Sequence, residues 1–178
     1  MHQELIPTFD QVRRLPSQDS ATVLPEWIDV NGHMNIKHYL DLGSMTTVRG
    51  VETCGIDQRY RDGERASLFN VENHLVYLAE SHLGDELTGH LRYVDVGPKS
   101  LHTVALIIDP KRELVVNVYE SLGVHVDMDT RRARDFPPHV YTQLAAKVRQ
   151  DAQLDWPAPV SGAMAVRGGL RAVQAEQA

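Results

Sequence analysis

The sequence predicts an α+β domain in which a long central helix is wrapped by an antiparallel sheet of five or six strands. Apolar and small residues recur at helical spacing over residues 36–54, and residues 66–126 contain four strand-like segments rich in Val, Ile, Leu, Thr and Tyr. The connections between those segments are too short for crossover helices, so the sheet is expected to be antiparallel. A helix inserted after the first strand must bury its apolar stripe on the concave face of that sheet.

The elements follow from local signals along the chain. The first strand is predicted over residues 20–28, and Asn31-Gly32 then forces a turn. Asn31 or Asn35 can cap the following helix, and Gly55 stands where a helix stop is expected. A polar loop at 57–65 precedes strands over 66–81, 86–96, 101–109 and 114–126, and a last helix spans 137–153 with prolines in its first turn.

Length and composition limit the domain organisation and the classes of partner. The chain has 178 residues, of which 42% are hydrophobic, so a single domain over residues 20–153 is expected, with an extended lead-in at 1–19 and a mobile tail at 154–178. Net charge is −6 without a dense Lys/Arg block, which argues against nucleic-acid or membrane partners. The lone Cys54 and the absence of a signal-like segment favour a cytoplasmic location.

Metal, nucleotide and serine chemistry lack the motifs that they require. His33 and His38 are five residues apart, which does not place both imidazoles on one helix face, and there is no His-Glu-x-x-His sequence. No glycine-rich nucleotide motif or Gly-x-Ser-x-Gly elbow occurs either. We therefore expect a site without a metal and without a cofactor.

The segment Asp29-Val30-Asn31-Gly32-His33-Met34-Asn35 carries the most specific chemical signal, because it places a carboxylate at a strand-to-helix junction. A helix start offers unpaired backbone N–H groups and a positive dipole end, which can polarise an acyl carbonyl. Taken alone, an Asp before Asn-Gly is most often a turn or cap residue. The segment alone therefore does not decide whether Asp29 is a catalytic carboxylate or a turn or cap residue.

This segment, followed by Tyr39, resembles the D-x-x-G-H-x-N…Y motif of hot-dog-fold acyl-CoA thioesterases of the 4-hydroxybenzoyl-CoA thioesterase type. The resemblance extends over residues 20–127 and implies the hot dog fold and hydrolysis of an acyl-CoA thioester. Residues 24–29, 71–75 and 99–102 also resemble the thioesterase domains found beside carnitine dehydrogenases. That likeness suggests a betaine-like or other small polar acyl group.

The resemblance implies roles for individual residues. Asp29 would be the catalytic carboxylate, which either attacks the thioester or positions water, and backbone amides near Asn35 and Ile36 would hold the thioester oxygen. The remaining candidates are substrate contacts at Asn31, His33, Tyr39 and Glu72 and CoA contacts at Lys99 and Ser100. Each has a plainer interpretation: a cap at Asn31 and Asn35, a turn-stabilising histidine at His33, and core packing at Tyr39. Glu72 lies in a strand that is expected to be largely buried, and its plainer interpretation is a pair with His74 or a solvent-facing position at a strand edge.

Two further functions compete with hydrolysis of acyl-CoA or of an acyl carrier protein thioester. One is a hot dog hydratase or dehydratase, although Asn31-Gly32-His33 lacks the proline and the Asp-to-His spacing of those enzymes. The other is a non-catalytic acyl-CoA-binding subunit in which Asp29 only caps the helix. A single curled sheet leaves an edge strand and an incomplete pocket, so self-association as a homodimer or homotetramer is expected.

Overall fold

A computed structural model of the chain describes residues 6–170. Its elements follow the order α1 (Phe9–Val12), β1 (Ser17–Thr22), α2 (Ile36–Glu52), α3 (Gln58–Glu64), β2 (Ala66–Tyr77), β3 (Glu86–Val96), β4 (Ser100–Asp109), β5 (Leu114–Asp127) and α4 (Pro138–Asp151). A short 3-10 helix (Pro25–Trp27) lies between β1 and α2. The strands form one five-stranded antiparallel sheet in the order β1-β3-β4-β5-β2. The predicted hot dog arrangement is confirmed.

Helix α2 packs very closely against the concave face of the sheet because small residues face it. A Cβ atom added at Gly43 would lie 2.4 Å from Cγ of Tyr119 on β5, and one at Gly50 would lie 2.2 Å from Cδ2 of Leu91 on β3. The predicted stripe of small residues therefore sets the distance between helix and sheet. The start of α2 lies at the end of the sheet where β2 ends and β3 begins, since the Tyr39 hydroxyl contacts Ser81.

Several predicted boundaries change in the structure. The first strand is Ser17–Thr22 instead of 20–28, because Pro25 begins a 3-10 helix. The predicted polar loop at 57–65 contains α3, whose start is capped by the Asp57 carboxylate accepting from the Tyr60 N–H at 2.8 Å. Strand β2 ends at Tyr77, so the predicted strand 66–81 was too long by one irregular segment.

The lead-in and tail also differ from expectation. Residues before β1 include helix α1, whose Val12 is fully buried. Trp156 and Ala158 are buried on the sheet face opposite α2, where the Arg92 guanidinium lies 4.0 Å from the Trp156 ring centre. The expected mobile tail is therefore a packed segment as far as residue 170. Residues 1–5 of the lead-in and 171–178 of the tail lie outside the described residues.

Helix α4 lies beside β3, beyond the short β1. The Asp151 carboxylate at its end accepts a hydrogen bond from the Tyr93 backbone N–H at 2.7 Å, and burial raises the pKa of Asp151. The Asp151 carboxylate thus binds a backbone N–H of β3 that would pair with β1 if β1 were longer. The predicted last helix is thus confirmed, with observed bounds Pro138–Asp151.

Candidate active site

Asp29 lies in a tight turn between the 3-10 helix and α2. Its backbone N–H donates to the His33 carbonyl at 3.0 Å, and its carbonyl accepts from the Gly32 N–H at 3.0 Å. Gly32 has a φ of +81°, a left-handed conformation that glycine adopts without steric cost. This turn therefore places the Asp29 carboxylate next to the start of α2.

The Asp29 carboxylate is oriented by two hydrogen bonds from its own turn. Oδ1 accepts from the Asn31 backbone N–H at 2.8 Å, and Oδ2 accepts from Asn35 Nδ2 at 3.1 Å. Asn35 also caps α2, since its Oδ1 accepts from the Lys37 N–H at 3.1 Å. Asn31 and Asn35 thus act as turn and cap residues, and both hold the carboxylate in place.

The two candidate amides at the helix start differ. The Asn35 N–H donates to the Trp27 carbonyl at 2.8 Å and is already used. The Ile36 N–H, at the first helical residue, donates to no acceptor among residues 6–170, and the Ile36 side chain is 59% exposed. The amide available to a ligand at this helix start is therefore that of Ile36.

The segment before Asp29 is fastened to α2 by an aromatic stack. The Trp27 and His38 rings are nearly parallel, with centres 4.5 Å apart. Burial lowers the pKa of His38. On the other side of the turn, the buried Met34 donates its N–H to the Ser81 carbonyl at 2.8 Å. The turn is thus held from both flanks.

A pocket of about 220 Å³ opens beside the Ile36 amide. It lies between the turn, the start of α2 and the segment that follows β2, and its lining includes His33, Ile36, Tyr39, Tyr77, Leu78 and Glu80. A larger cavity of about 740 Å³ lies between β1, the start of β3 and the β4–β5 connection. Asp29 lines neither cavity, but His33 and Met34 of its turn and Ile36 of α2 line the smaller pocket, so that pocket is the one next to the Asp29 turn.

His33 and Tyr39 both line this pocket. The His33 ring contacts the Met34 carbonyl through Nδ1 at 3.3 Å, and its Nε2 lies 3.9 Å from a Glu80 carboxylate oxygen. The Tyr39 hydroxyl donates to Ser81 Oγ at 3.1 Å and accepts from the Ser81 N–H at 3.0 Å. Tyr39 is thus a buried packing residue that presents only its ring to the pocket.

The other sequence candidates lie elsewhere. Lys99 lies in the β3–β4 turn and Ser100 begins β4. This turn is at the opposite end of the sheet from Asp29, about 30 Å away at about 3.3 Å per strand residue. Lys99 is exposed and pairs with Asp135 at 3.5 Å. Glu72 is exposed at a bulge of the edge strand β2, so the solvent-facing alternative is confirmed and the expectation of a largely buried strand is wrong at this position.

The sequence did not single out the buried carboxylate of Glu120. His74 and His102 lie beside it, with His102 Nε2 at 2.9 Å, and the Ser161 N–H donates to it at 2.8 Å. Burial alone would raise the pKa of Glu120, but these hydrogen bonds lower it. Glu72 was one possible partner of His74, but the carboxylate near His74 is that of Glu120, with His74 Nδ1 3.8 Å from its oxygen. This cluster lies on the face opposite α2, so it belongs to the packing of the tail.

Tyr77 and Glu80 are pocket residues that the sequence also did not single out. The predicted strand 66–81 ran through them, which concealed the irregular segment that begins after Tyr77. Their place in the chain could have identified them, because the segment that follows β2 must lie at the same end of the sheet as the start of α2.

None of the helices in residues 6–170 has the length and apolar character that a membrane span requires.

Comparisons with known proteins agree with this geometry. Residues 23–144 match the family described as the thioesterase-like superfamily. The betainyl-CoA thioesterase of Pseudomonas aeruginosa is 31% identical over 124 residues, which cover 70% of this chain and 78% of that protein. The L-carnitine dehydrogenase/betainyl-CoA thioesterase of Rhizobium meliloti is 30% identical over 131 residues, 74% of this chain. The matched part spans only 26% of that bifunctional relative.

A solved structure shows the same fold. A Staphylococcus aureus protein determined in complex with CoA superposes with a TM-score of 0.75 at 27% identity, covering 86% of this chain and 97% of that protein. The family match covers most of the chain and includes the Asp29 turn, α2 and the whole of β2 to β5. This chain belongs to the thioesterase-like superfamily.

Proposed function

We propose that this chain hydrolyses an acyl-CoA thioester to the free acid and CoA, with Asp29 as the catalytic carboxylate. The observation that carries the proposal is the juxtaposition of an oriented carboxylate and an unused helix-start amide, that of Ile36. The amide would donate to the thioester oxygen as negative charge develops on it. A thioester is already activated toward attack, so the carboxylate and the amide can act on it without a cofactor.

Two routes use the same groups. In the first, an Asp29 oxygen attacks the carbonyl carbon, the carbon–sulfur bond breaks to release the CoA thiolate, and water then hydrolyses the mixed anhydride. In the second, Asp29 takes a proton from water, which attacks the carbonyl carbon, and the proton passes to the departing sulfur. Both routes end in free acid and CoA, and both place the carbonyl oxygen at the Ile36 amide.

The proposed substrate is a short acyl-CoA, with betainyl-CoA as the first to be tested. Two observations support this choice: the related enzymes named above act on betainyl-CoA, and the pocket beside the Ile36 amide is small. Its 220 Å³ is less than the roughly 300–1,000 Å³ of pockets for drug-sized ligands, which favours a short acyl group over a fatty chain.

The experiment is thiol release from a panel of acyl-CoAs by the wild-type chain and by Asp29→Asn. Asn keeps the size of Asp29 and an acceptor for the Asn31 N–H while removing the charge. The matched control is Asp57→Asn, which makes the same change at the start of α3. We expect Asp29→Asn to lose about 10²–10⁴-fold in kcat and the control to retain activity. Equal release by all three proteins would refute the catalytic assignment and leave a binding subunit.

We further propose that two copies pair through β2. This edge strand is exposed over residues 70–73, and Val71 on it is 57% exposed. Exposed apolar side chains of α2, among them Ile36 and Leu40, add to this face. Antiparallel pairing of two β2 strands would bring the Lys99 end of one sheet beside the Asp29 end of the other. Lys99 and Ser100 would then contact CoA from the second copy.

Light scattering tests this arrangement. A mass of two or four chains for the wild type, and of one chain for Val71→Pro with unchanged circular dichroism, agrees with pairing through β2, because proline cannot donate to a new strand. A wild-type monomer at micromolar concentration would contradict it.

A further inference from the structure

The pocket beside the Ile36 amide combines aromatic rings with one acidic side chain. The Tyr39 and Tyr77 rings meet edge to face, with centres 5.4 Å apart and planes at 75°. The Tyr39 hydroxyl is held by Ser81, so its ring is fixed. Tyr77 ends β2 and is 46% exposed, which leaves much of its ring uncovered. Aromatic faces attract cations, and quaternary ammonium groups are the ligands that aromatic sites bind most characteristically.

Glu80 supplies negative charge to the same pocket. Its carboxylate pairs with no Lys or Arg of residues 6–170, and the basic groups beside it are His33 Nε2 at 3.9 Å and His82 Nε2 at 3.6 Å. The nearby Arg112 donates to the Glu80 backbone carbonyl, while its charge is directed to the carboxylates of Asp109 and Asp85. The charge of Glu80 is therefore not neutralised by a fixed cation.

The position of these groups relative to the Ile36 amide limits the ligand further. A carbonyl oxygen at that amide would place the atoms next to the carbonyl carbon near this pocket, because Ile36 is one of its lining residues. In a betaine-type acyl group only one methylene separates the carbonyl carbon from the ammonium nitrogen. Such a cation would lie within the same small pocket and would not need a second one.

We propose that Tyr77 and Glu80 form a subsite for a quaternary ammonium on the acyl group. The inference rests on the proposed thioesterase function and adds the residues that select the substrate. Tyr77 offers its ring face to the methyl groups around the nitrogen, and Glu80 offers a carboxylate to the charge without requiring a hydrogen-bond donor on the ligand. A quaternary ammonium has no N–H, so rings and a carboxylate that pairs with no Lys or Arg of residues 6–170 suit it better than hydrogen-bonding groups do.

The test compares two substrates of the same shape, betainyl-CoA and 3,3-dimethylbutanoyl-CoA, in which carbon replaces the charged nitrogen. The quantity measured is the ratio of their kcat/KM values. We expect the wild type to favour the cationic substrate by at least about tenfold. Tyr77→Leu and Glu80→Gln should each lower this ratio severalfold, because kcat/KM for the cationic substrate should fall more than kcat/KM for the neutral one.

Matched controls separate the ring and the charge from general packing. Tyr77→Phe keeps the ring and should keep the ratio. Glu86→Gln removes an exposed carboxylate at the start of β3, which lines the other cavity, and should also keep the ratio. An equal loss on both substrates in Tyr77→Leu and Glu80→Gln would show that the residues only shape the pocket, which would overturn the proposal.

The failure of this inference can be told apart from failure of the proposed function. A wild type that cleaves neutral acyl-CoAs as well as betainyl-CoA refutes the subsite and leaves the thioesterase intact. A wild type that cleaves no acyl-CoA refutes the hydrolytic function, and calorimetric titration with the two CoA thioesters then decides the subsite. Tighter binding of betainyl-CoA that is lost in Glu80→Gln would support the subsite, and equal affinities would overturn it.

Discussion

The close approach of α2 to the sheet can be tested at Gly43. A Cβ atom there would lie 2.4 Å from Cγ and 2.6 Å from Cβ of Tyr119, closer than any real packing contact. Tyr119 is fully buried, and its hydroxyl accepts from Asn70 Nδ2 at 2.6 Å, so the ring has no free space to turn into. Gly43→Ala must therefore push the helix or the ring out of place.

Two opposing contributions set the expected change in the free energy of unfolding of Gly43→Ala. Overpacking of a core costs about 1–3 kcal/mol, and the upper end applies because the clash involves the stem of a fixed ring. Replacing a mid-helix Gly by Ala returns about 1 kcal/mol of helix propensity. We expect a net loss of about 2 kcal/mol for Gly43→Ala, or a fall in Tm of roughly 4–8 °C.

Gly50→Ala is the matched variant in the same helix. Its Cβ would lie 2.2 Å from Cδ2 of Leu91, the far end of a flexible side chain, 3.2 Å from the Tyr93 hydroxyl oxygen and 3.4 Å from Leu91 Cβ. A small rotation of that side chain relieves the contact, so the packing loss and the propensity gain nearly cancel. Urea unfolding of both variants decides the matter. A Gly43→Ala protein as stable as Gly50→Ala would refute the inference that the buried Tyr119 ring cannot make room for a methyl group at Gly43.

Other predictions concern the tail cluster, the cap and the far turn. The pKa of Glu120 in the folded protein lies below its ordinary 4.5, so its contribution to the free energy of unfolding is present above pH 4.5 and is lost as pH falls through the folded pKa. Glu120→Gln should make the free energy of unfolding, measured by urea titration, less dependent on pH in this acid range. An unchanged pH dependence would contradict this expectation. Asn35→Ala removes the α2 cap, so we expect about 1 kcal/mol of destabilisation. It also removes a hydrogen bond to Asp29, so we expect kcat to fall proportionally more than stability. An unchanged kcat would contradict the role of Asn35 in orienting Asp29. Lys99→Ala should leave stability within about 0.5 kcal/mol, since its ion pair is exposed, while KM for acyl-CoA rises; an unchanged KM would remove Lys99 from the CoA site.

The regular elements could be predicted because local signals determine them. Helix α2 starts at the predicted Ile36, and β3 spans the predicted residues 86–96, because an Asn cap and Gly-containing turns bound them. Helix α3 was missed because its seven residues bury only Tyr60, which leaves no periodic pattern. The packed tail was missed for the same reason, since Trp156 and Ala158 lie in irregular chain.

The candidate site was predictable only where its residues are neighbours in sequence. Asp29, Asn35 and Ile36 meet because one turn joins them. The two alternatives for Glu72 could not be decided from the sequence, because its exposure depends on β2 being an edge strand, which is a property of strand order and not of local sequence. The separation of Lys99 from Asp29 could have been found from the sequence, because successive hairpins place their turns at alternate ends of a sheet.

The tail that packs on the outer face of the sheet has a consequence for higher assembly. Trp156, Ala158 and the residues of α1 cover the side chains of Val94, Val104 and Val118 that a bare sheet would present. Two dimers cannot stack sheet against sheet without first removing this cover from four chains. If four copies assemble, they must therefore meet through surfaces on the helix side or at the ends of the sheet.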